Sequence, residues 1–188
     1  MRVPSCKCDW TLAPTEAVAL QRRLASRVRL SGSPKPWRLV AGIDVGIRAG
    51  MARAAVVVLS LPGLEVVQVV AAKQPVTYPY VPGLLSFREA PSILDALSQL
   101  TCKPDVLLFD GQGYAHPRRM GIATHLGIVL GVPSVGCAKS RLCGTYREPP
   151  QDRGHYTWLT HHGEVIGAVV RTRSRVTVSY THLRAHET

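Results

Sequence analysis

The sequence predicts an α/β domain in which a mixed sheet is covered by helices. Two observations carry this expectation. Three apolar, strand-like runs come first, and only Pro62 and Gly63 separate the second from the third, as a hairpin between antiparallel strands requires. Helix-like and strand-like patterns then alternate as far as residue 138, which places helices against the faces of the sheet.

Each element has its own signal. Over residues 14–30, Ala17, Leu20, Leu24 and Val28 fall at helical spacing with Arg22, Arg23 and Arg27 mostly opposite, an amphipathic helix with a basic face. SGSPKP then breaks the chain, and WRLVAGIDVG is an apolar run ending in a carboxylate, read as a buried strand over 38–44. Residues 52–61 and 64–71 are the two hairpin strands. Ile93, Leu94, Leu97 and Leu100 follow helical spacing to about Leu100, with Pro91 suited only to the helix start or a kink. Residues 106–109 form an apolar run ending at Asp110, 120–130 look helical with Gly121 and Gly127 allowing close packing, and 132–138 are a short strand. Past Gly144, TYREPPQDRG is a loop, and YTWLT with EVIGAVVRTR makes a later hairpin. There is no internal repeat.

A chain of 188 residues, 46% hydrophobic, suits one domain with its own core. Its 23 basic residues against 12 acidic give a net charge of +11, which favours a polyanion partner: nucleic acid first, an anionic membrane surface second. No apolar run approaches the roughly 18 to 20 residues of a membrane helix, and MRVPSCKCDW lacks the apolar stretch of a signal peptide. The expected location is cytoplasmic. Cys6, Cys8, Cys102, Cys137 and Cys143 are odd in number and without CxxC spacing, so reduced thiols are expected rather than disulfides or a zinc site.

Asp44 and Asp110 each close a buried apolar run, at the sheet edge where open α/β sheets bind ligands. Glu89, near the start of the intervening helix, can supply a third carboxylate on the same side. Three such groups together repel unless a hard cation such as Mg²⁺ or Mn²⁺ neutralises them, and a metal-dependent phosphodiester hydrolase follows. Each also has a plainer reading: Asp110-Gly111 as a turn pair, Asp44 as a turn cap, Glu89 as a solvated helix residue.

The stretch TYPYVPGLLSFREAP over 77–91 is unusually stiff. One reading of Val81 to Leu84 is an ordinary type II turn with Tyr80 on the surface. The other is that Pro79 and Pro82 fix Tyr80 as a wedge able to unstack a base step, with Gly83 admitting the displaced base.

AGIDVG (41–46), YPYVPGLLSFREAP (78–91), DGQGYAHPRRMGIATHLG (110–127) and GVPSVGCAKSRLCG (131–144) together resemble endonuclease V, the deoxyinosine 3′ endonuclease family of DNA repair. The likeness runs from about residue 9 to 178. It implies a ribonuclease H-like mixed sheet, three antiparallel strands followed by parallel ones, flanked by helices. It also implies Mg²⁺-dependent hydrolysis of the second phosphodiester bond 3′ to deoxyinosine, with Mn²⁺ able to substitute. Position by position, Asp44, Glu89 and Asp110 become the metal-binding carboxylates, and Pro79, Tyr80, Val81 and Pro82 the wedge. Gly83, Leu85, Gly111, Gly121 and Ile122 line the hypoxanthine pocket with His116 close by. Lys139 contacts the phosphate beside the metal, and Arg118, Arg119 and Arg141 contact the backbone.

Family members continue past the last strand with a Ser-Pro-Gly-His segment and a terminal helix, the histidine completing the metal site. This chain reads VTVSYTHLRAHET there, keeping Val178, Ser179 and His182 at similar spacing. His182 is accordingly a candidate fourth ligand or water-positioning residue. The reading divides the chain into one catalytic domain, 1–178, and an atypical tail, 179–188, that fits a truncated or foreign C-terminus. Loss of the final helix would uncover part of a sheet face. The partner expected is deoxyinosine-containing DNA acted on by a monomer. The rivals are an endoribonuclease for inosine in RNA and a lesion-binding protein that does not cleave. A generic ribonuclease H-like resolvase or transposase would leave the PYVP wedge unexplained.

Overall fold

The computed structural model describes residues 8–30 and 36–173, and the backbone of 176–183. Along the chain these form α1 (Pro14–Ala25), β1 (Leu39–Arg48), β2 (Met51–Ser60), β3 (Val66–Pro75) and α2 (Leu85–Ser98). Then come β4 (Val106–Asp110), α3 (Ile122–Leu130), β5 (Ser134–Ala138), β6 (Tyr156–His161), β7 (Glu164–Arg173) and β8 (Val176–Leu183). The strands make one sheet in the order β3-β2-β1-β4-β5-β8-β7-β6.

The first five strands have the expected ribonuclease H-like arrangement. β1, β2 and β3 are an antiparallel meander, and β4 then runs parallel to β1 and β5 parallel to β4. The unexpected element is β8. It inserts antiparallel between β5 and β7 and so joins the late β6–β7 hairpin to the main sheet. Position 178/179, where the sequence reading divides domain from tail, falls within it.

Several boundaries differ from the periodicity for local reasons. The first helix stops at Ala25, five residues short of the expected end, where Ser26 Oγ bonds the Arg23 carbonyl and Arg27 N turns back to Leu24 O. β1 continues four residues past Asp44 because Ala49 and Gly50, with φ of 49° and 72°, close a two-residue hairpin onto β2. Positive φ at both turn residues suits the twist of the flanking strands. β3 begins two residues later than expected, after a turn containing Leu64 at positive φ. The second helix starts at Leu85, so Pro91 lies inside it rather than at its start.

The main core lies between the sheet and the two later helices. Ala41, Ile43, Val56, Val58, Leu107 and Phe109 rise from β1, β2 and β4. Ala90, Ile93 and Leu97 of α2 and Ile122, Ala123 and Leu126 of α3 cover them. Each large apolar side chain buried here contributes on the order of 1.5–3 kcal/mol. A smaller cluster bears more directly on the site. Trp10, Ala17, Tyr78, Leu84 and Phe87 pack together, with the Trp10 and Tyr78 rings 5.7 and 5.5 Å from Phe87. Buried residues therefore anchor the segment 79–83 at both ends.

On part of the sheet an apolar trough is lined by Gly42, Ala55, Val57, Leu108 and Cys137 and runs up to Asp44. On the helical side, α3 approaches β5 so closely that a Cβ at Gly127 would collide with Ser134 Oγ, itself bonded to the Ala123 carbonyl at 2.7 Å. Gly127→Ala is expected to cost about 1–3 kcal/mol by overpacking, read as a lower urea midpoint with an unchanged m-value.

Candidate active site

The parallel ladder of β1 and β4 pairs Ile43 with Phe109. One residue further along both strands stand Asp44 and Asp110, at neighbouring positions where the ladder ends. Glu89 joins them from the second turn of α2. All three line one cavity of about 430 Å³, together with Lys139 from just beyond β5. Burial, and then the charges of Asp44 and Asp110, push the Glu89 carboxyl up to about 7. Lys139 offsets some of this negative charge: its Nζ donates to Asp110 Oδ2 at 2.5 Å, a bond that raises the lysine's own affinity for its proton. Among the described residues, no three Asp, Glu, His or Cys side chains form a closed metal cage. The trio instead offers hard oxygen donors on an open wall, a chemistry that suits a hard divalent cation.

The same cavity extends to a second wall of different character. Tyr80, Gly83 and Leu85 line it from the chain leading into α2, and Gly111, His116, Gly121 and Ile122 from the chain leading into α3. The turn reading of the PYVP loop holds. Leu84 N bonds Val81 O at 3.0 Å with Gly83 at φ 79°, the geometry of a type II turn with Pro82 at its first corner. That turn leaves Tyr80 73% exposed, its ring projecting from the surface beside the cavity mouth. Pro79 and Pro82 are exposed and flank the tyrosine without lining the cavity. Gly83 is obligatory twice over. Its φ is left-handed, and a Cβ there would lie 2.5 Å from Arg118 Nη2 and 3.1 Å from His116 Nε2.

His116 is buried, and its tautomer follows from its partners. Nδ1 accepts from the Arg118 backbone N–H at 3.1 Å, which leaves Nε2 to donate to the Gly83 carbonyl at 3.1 Å. Burial, reinforced by Arg118, lowers its pKa to about 4. His125 behaves alike in the wall behind. It takes a 2.8 Å bond with Ser86 Oγ, sits against Trp10 and Phe87, and is lowered to about 4 by burial.

Two arginines are not placed as the sequence suggests. Arg118 is turned inward, with Nε on Gln21 Oε1 at 2.6 Å and Nη2 on Gly83 O at 2.9 Å. Arg119 is held by Glu164 at 2.8 Å, and Glu164 also accepts from Tyr114 Oη. Both guanidinium groups tie the loop 111–121 to its surroundings instead of facing a backbone phosphate. Arg141 lies over the Tyr146 ring at 5.7 Å. His182 sits in β8 opposite Val135, and its side chain lies outside the described residues. The sequence reading missed Ser86, Gln112 and Ser140 in the cavity wall and Gln21 behind it. Gln21 had a signal, since it lies on the apolar stripe of α1 between Ala17 and Leu24.

Acidic residues at adjacent strand ends of a ribonuclease H-like sheet, in a strongly basic chain, define a nuclease. The comparisons with known proteins agree. The Endonuclease V family model matches residues 22–186. Endonuclease V of Roseiflexus sp. (strain RS-1) is 50% identical over 174 residues, covering 93% of this chain and 78% of that protein. The crystal structure of Endonuclease V from Streptomyces avermitilis superposes with a TM-score of 0.86 at 38% identity, covering 93% of this chain and 79% of that one. Endonuclease V of Ciona intestinalis, solved in complex with a 24-mer DNA containing an inosine followed by a ribo-adenosine, gives 0.76 at 25% identity, covering 90% and 82%. This chain belongs to the endonuclease V family.

The buried ionisable groups predict the pH dependence of stability. His116 and His125 titrate near 4 when folded and near 6.5 when unfolded. Between these values the unfolded chain binds more protons, so stability falls as pH drops from 6.5 to 4, by up to about 3 kcal/mol per histidine. Glu89 has the opposite sign: raised to about 7, it disfavours the metal-free fold as pH rises from 4.5 through 7. Glu89→Gln is therefore expected to raise the Tm of the metal-free protein at pH 8, by the equivalent of about 1–3 kcal/mol. Thermal melts from pH 4 to 8 check both; an unchanged or lower Tm in the variant contradicts the assignment.

Proposed function

We propose that this chain is a DNA repair endonuclease that recognises deoxyinosine and hydrolyses the second phosphodiester bond on its 3′ side. One observation carries the reading: a single cavity holds both the carboxylate trio and the glycine-lined wall, with the exposed Tyr80 at its mouth. Chemistry and base recognition thus share one space.

Asp44, Glu89 and Asp110 would hold Mg²⁺, with Mn²⁺ as a substitute. Their oxygens suit such an ion, and a divalent cation would offset both the burial and the neighbouring aspartate charges that push Glu89 up to about 7. When bound, the ion would supply charge neutralisation at the phosphate and a coordinated water more acidic than bulk water. The chain's own groups do the rest. Lys139, exposed at its end, brings a positive charge to the scissile phosphate, where negative charge grows in the transition state. Tyr80 enters the duplex and takes the place of the departing base in the stack, which costs least at a weakened base pair. The base then meets a wall of backbone at Gly83, Gly111 and Gly121, closed by Leu85 and Ile122. His116 stays neutral above pH 4 and holds the Gly83 carbonyl without adding charge to the pocket.

The test is an end-labelled duplex with one deoxyinosine, incubated with the protein and Mg²⁺, Mn²⁺ or chelator, beside the corresponding inosine RNA. The expected product is a nick one nucleotide beyond the lesion, present with either metal and lost with chelator or in Asp44→Ala. Preferential cutting of the RNA would reassign the substrate, and binding without any nick would leave a lesion-binding protein. Tyr80→Ala is expected to lower kcat/KM on duplex DNA about tenfold or more, as loss of about 1–3 kcal/mol of stacking implies. On single-stranded deoxyinosine DNA, where no stack is opened, the same variant should lose much less.

A further inference from the structure

We infer that Gln21 of α1 is a specificity-determining positioning residue, whose side-chain amide ties the two walls of the base cavity together and sets their spacing. The inference rests on the base-recognition reading above.

Gln21 is fully buried on the stripe Ala17, Gln21, Leu24, where an apolar residue would be the ordinary occupant. A buried amide there is costly unless its hydrogen bonds are made. Nε2 donates to the Gly83 carbonyl at 3.0 Å and to the Met120 carbonyl at 3.1 Å, and Oε1 accepts from Arg118 Nε at 2.6 Å. Gly83 ends the wedge loop, while Met120 immediately precedes Gly121 in the facing wall. One side chain therefore spans both walls from behind. Arg118 braces the same link through its 2.9 Å bond to Gly83 O, and His116 adds a third donor to that oxygen.

Neither Gln21 nor Arg118 lines the cavity. They act on a bound base only through the backbone they hold. That distinguishes the clamp from a direct contact and gives it a particular effect. A pocket walled by main chain discriminates by shape, so its selectivity depends on how firmly the walls are kept apart. A clamp with this role changes the ratio of affinities for the lesion and for intact DNA. A merely structural glutamine would affect both alike, because the general attraction of a +11 chain for DNA does not pass through the pocket.

The experiment compares Gln21→Met, similar in size but without polar atoms, with Arg118→Met, which breaks the clamp from its less buried side. Dissociation constants are measured at fixed salt for one duplex with deoxyinosine and for the same duplex undamaged, with circular dichroism and Tm as controls of folding. The expected result is a three- to tenfold fall in the preference for deoxyinosine in each variant, the size of one or two lost hydrogen bonds, with affinity for undamaged DNA unchanged in Gln21→Met, which keeps the net charge. The double variant should be no worse than the singles, since one clamp is lost either way. A folded Gln21→Met protein with full preference overturns the inference, as does an equal weakening on both duplexes. If Gln21→Met fails to fold, the Arg118→Met ratio decides alone. A wild-type protein without preference for deoxyinosine overturns the function itself, an outcome separate from all of these.

Discussion

The parallel pairing of β1 with β4 is the constraint around which the site is organised. It aligns two strands whose apolar residues are locked into the core through Ile43 and Phe109, and so fixes Asp44 and Asp110 beside each other where that pairing ends. Slipping the register by one residue would turn buried side chains to the opposite face. The core therefore holds the carboxylates together despite their repulsion, and Glu89 adds to it from a helix whose own apolar face is buried on the same sheet. The Glu89 carboxyl, raised to about 7 by burial and then by the charges of Asp44 and Asp110, carries the mark of that crowding. The fold supplies the proximity, and Lys139 answers part of the charge.

Much of this could be read from the chain because its periodic signals were strong. The strand-like runs ending in Asp44 and Asp110 are β1 and β4, and Gly127, read as allowing close packing, lies where α3 meets β5. Other features depended on tertiary partners that periodicity does not encode. β1 runs past Asp44 because the Ala49-Gly50 turn folds β2 back along it, although no apolar pattern marks those residues. Arg118 and Arg119 look like phosphate contacts in a basic chain, yet Gln21, Gly83 and Glu164 hold them, residues distant in sequence. β8 was hidden for a similar reason: its place in the sheet comes from pairing with β5 on one side and β7 on the other.

The PYVP loop is a common turn in an unusually rigid setting, which suits the recognition role proposed for it. A type II turn by itself says nothing of function. Here Tyr78 is buried against Phe87 on one side of the loop, and Leu84 is buried on the other. Between these anchors, two prolines remove backbone freedom, leaving the tyrosine few conformations in which to lose entropy on insertion. Gly83 ends the loop in a conformation that only glycine adopts without strain, and three donors hold its carbonyl. Rigidity comes from burial at the ends, from ring closure along the loop and from hydrogen bonds at its exit.

Behind the glycine-lined wall the histidines are neutral, and the Arg118 guanidinium reaches the Gly83 carbonyl. His116 and His125 are buried deeply enough to remain neutral well below physiological pH, and Gln21 bonds backbone carbonyls without bringing a charge of its own. On the proposed reading a base would meet main chain and a neutral imidazole, while the carboxylates and Lys139 stand across the same space. Burial has a thermodynamic consequence: the neutral histidines favour the fold toward neutral pH, while Glu89, raised by burial and by the charges of Asp44 and Asp110, opposes it there. A cation held as proposed would relieve that opposition, so the proposed chemistry and the stability of the fold would depend on the same carboxylates.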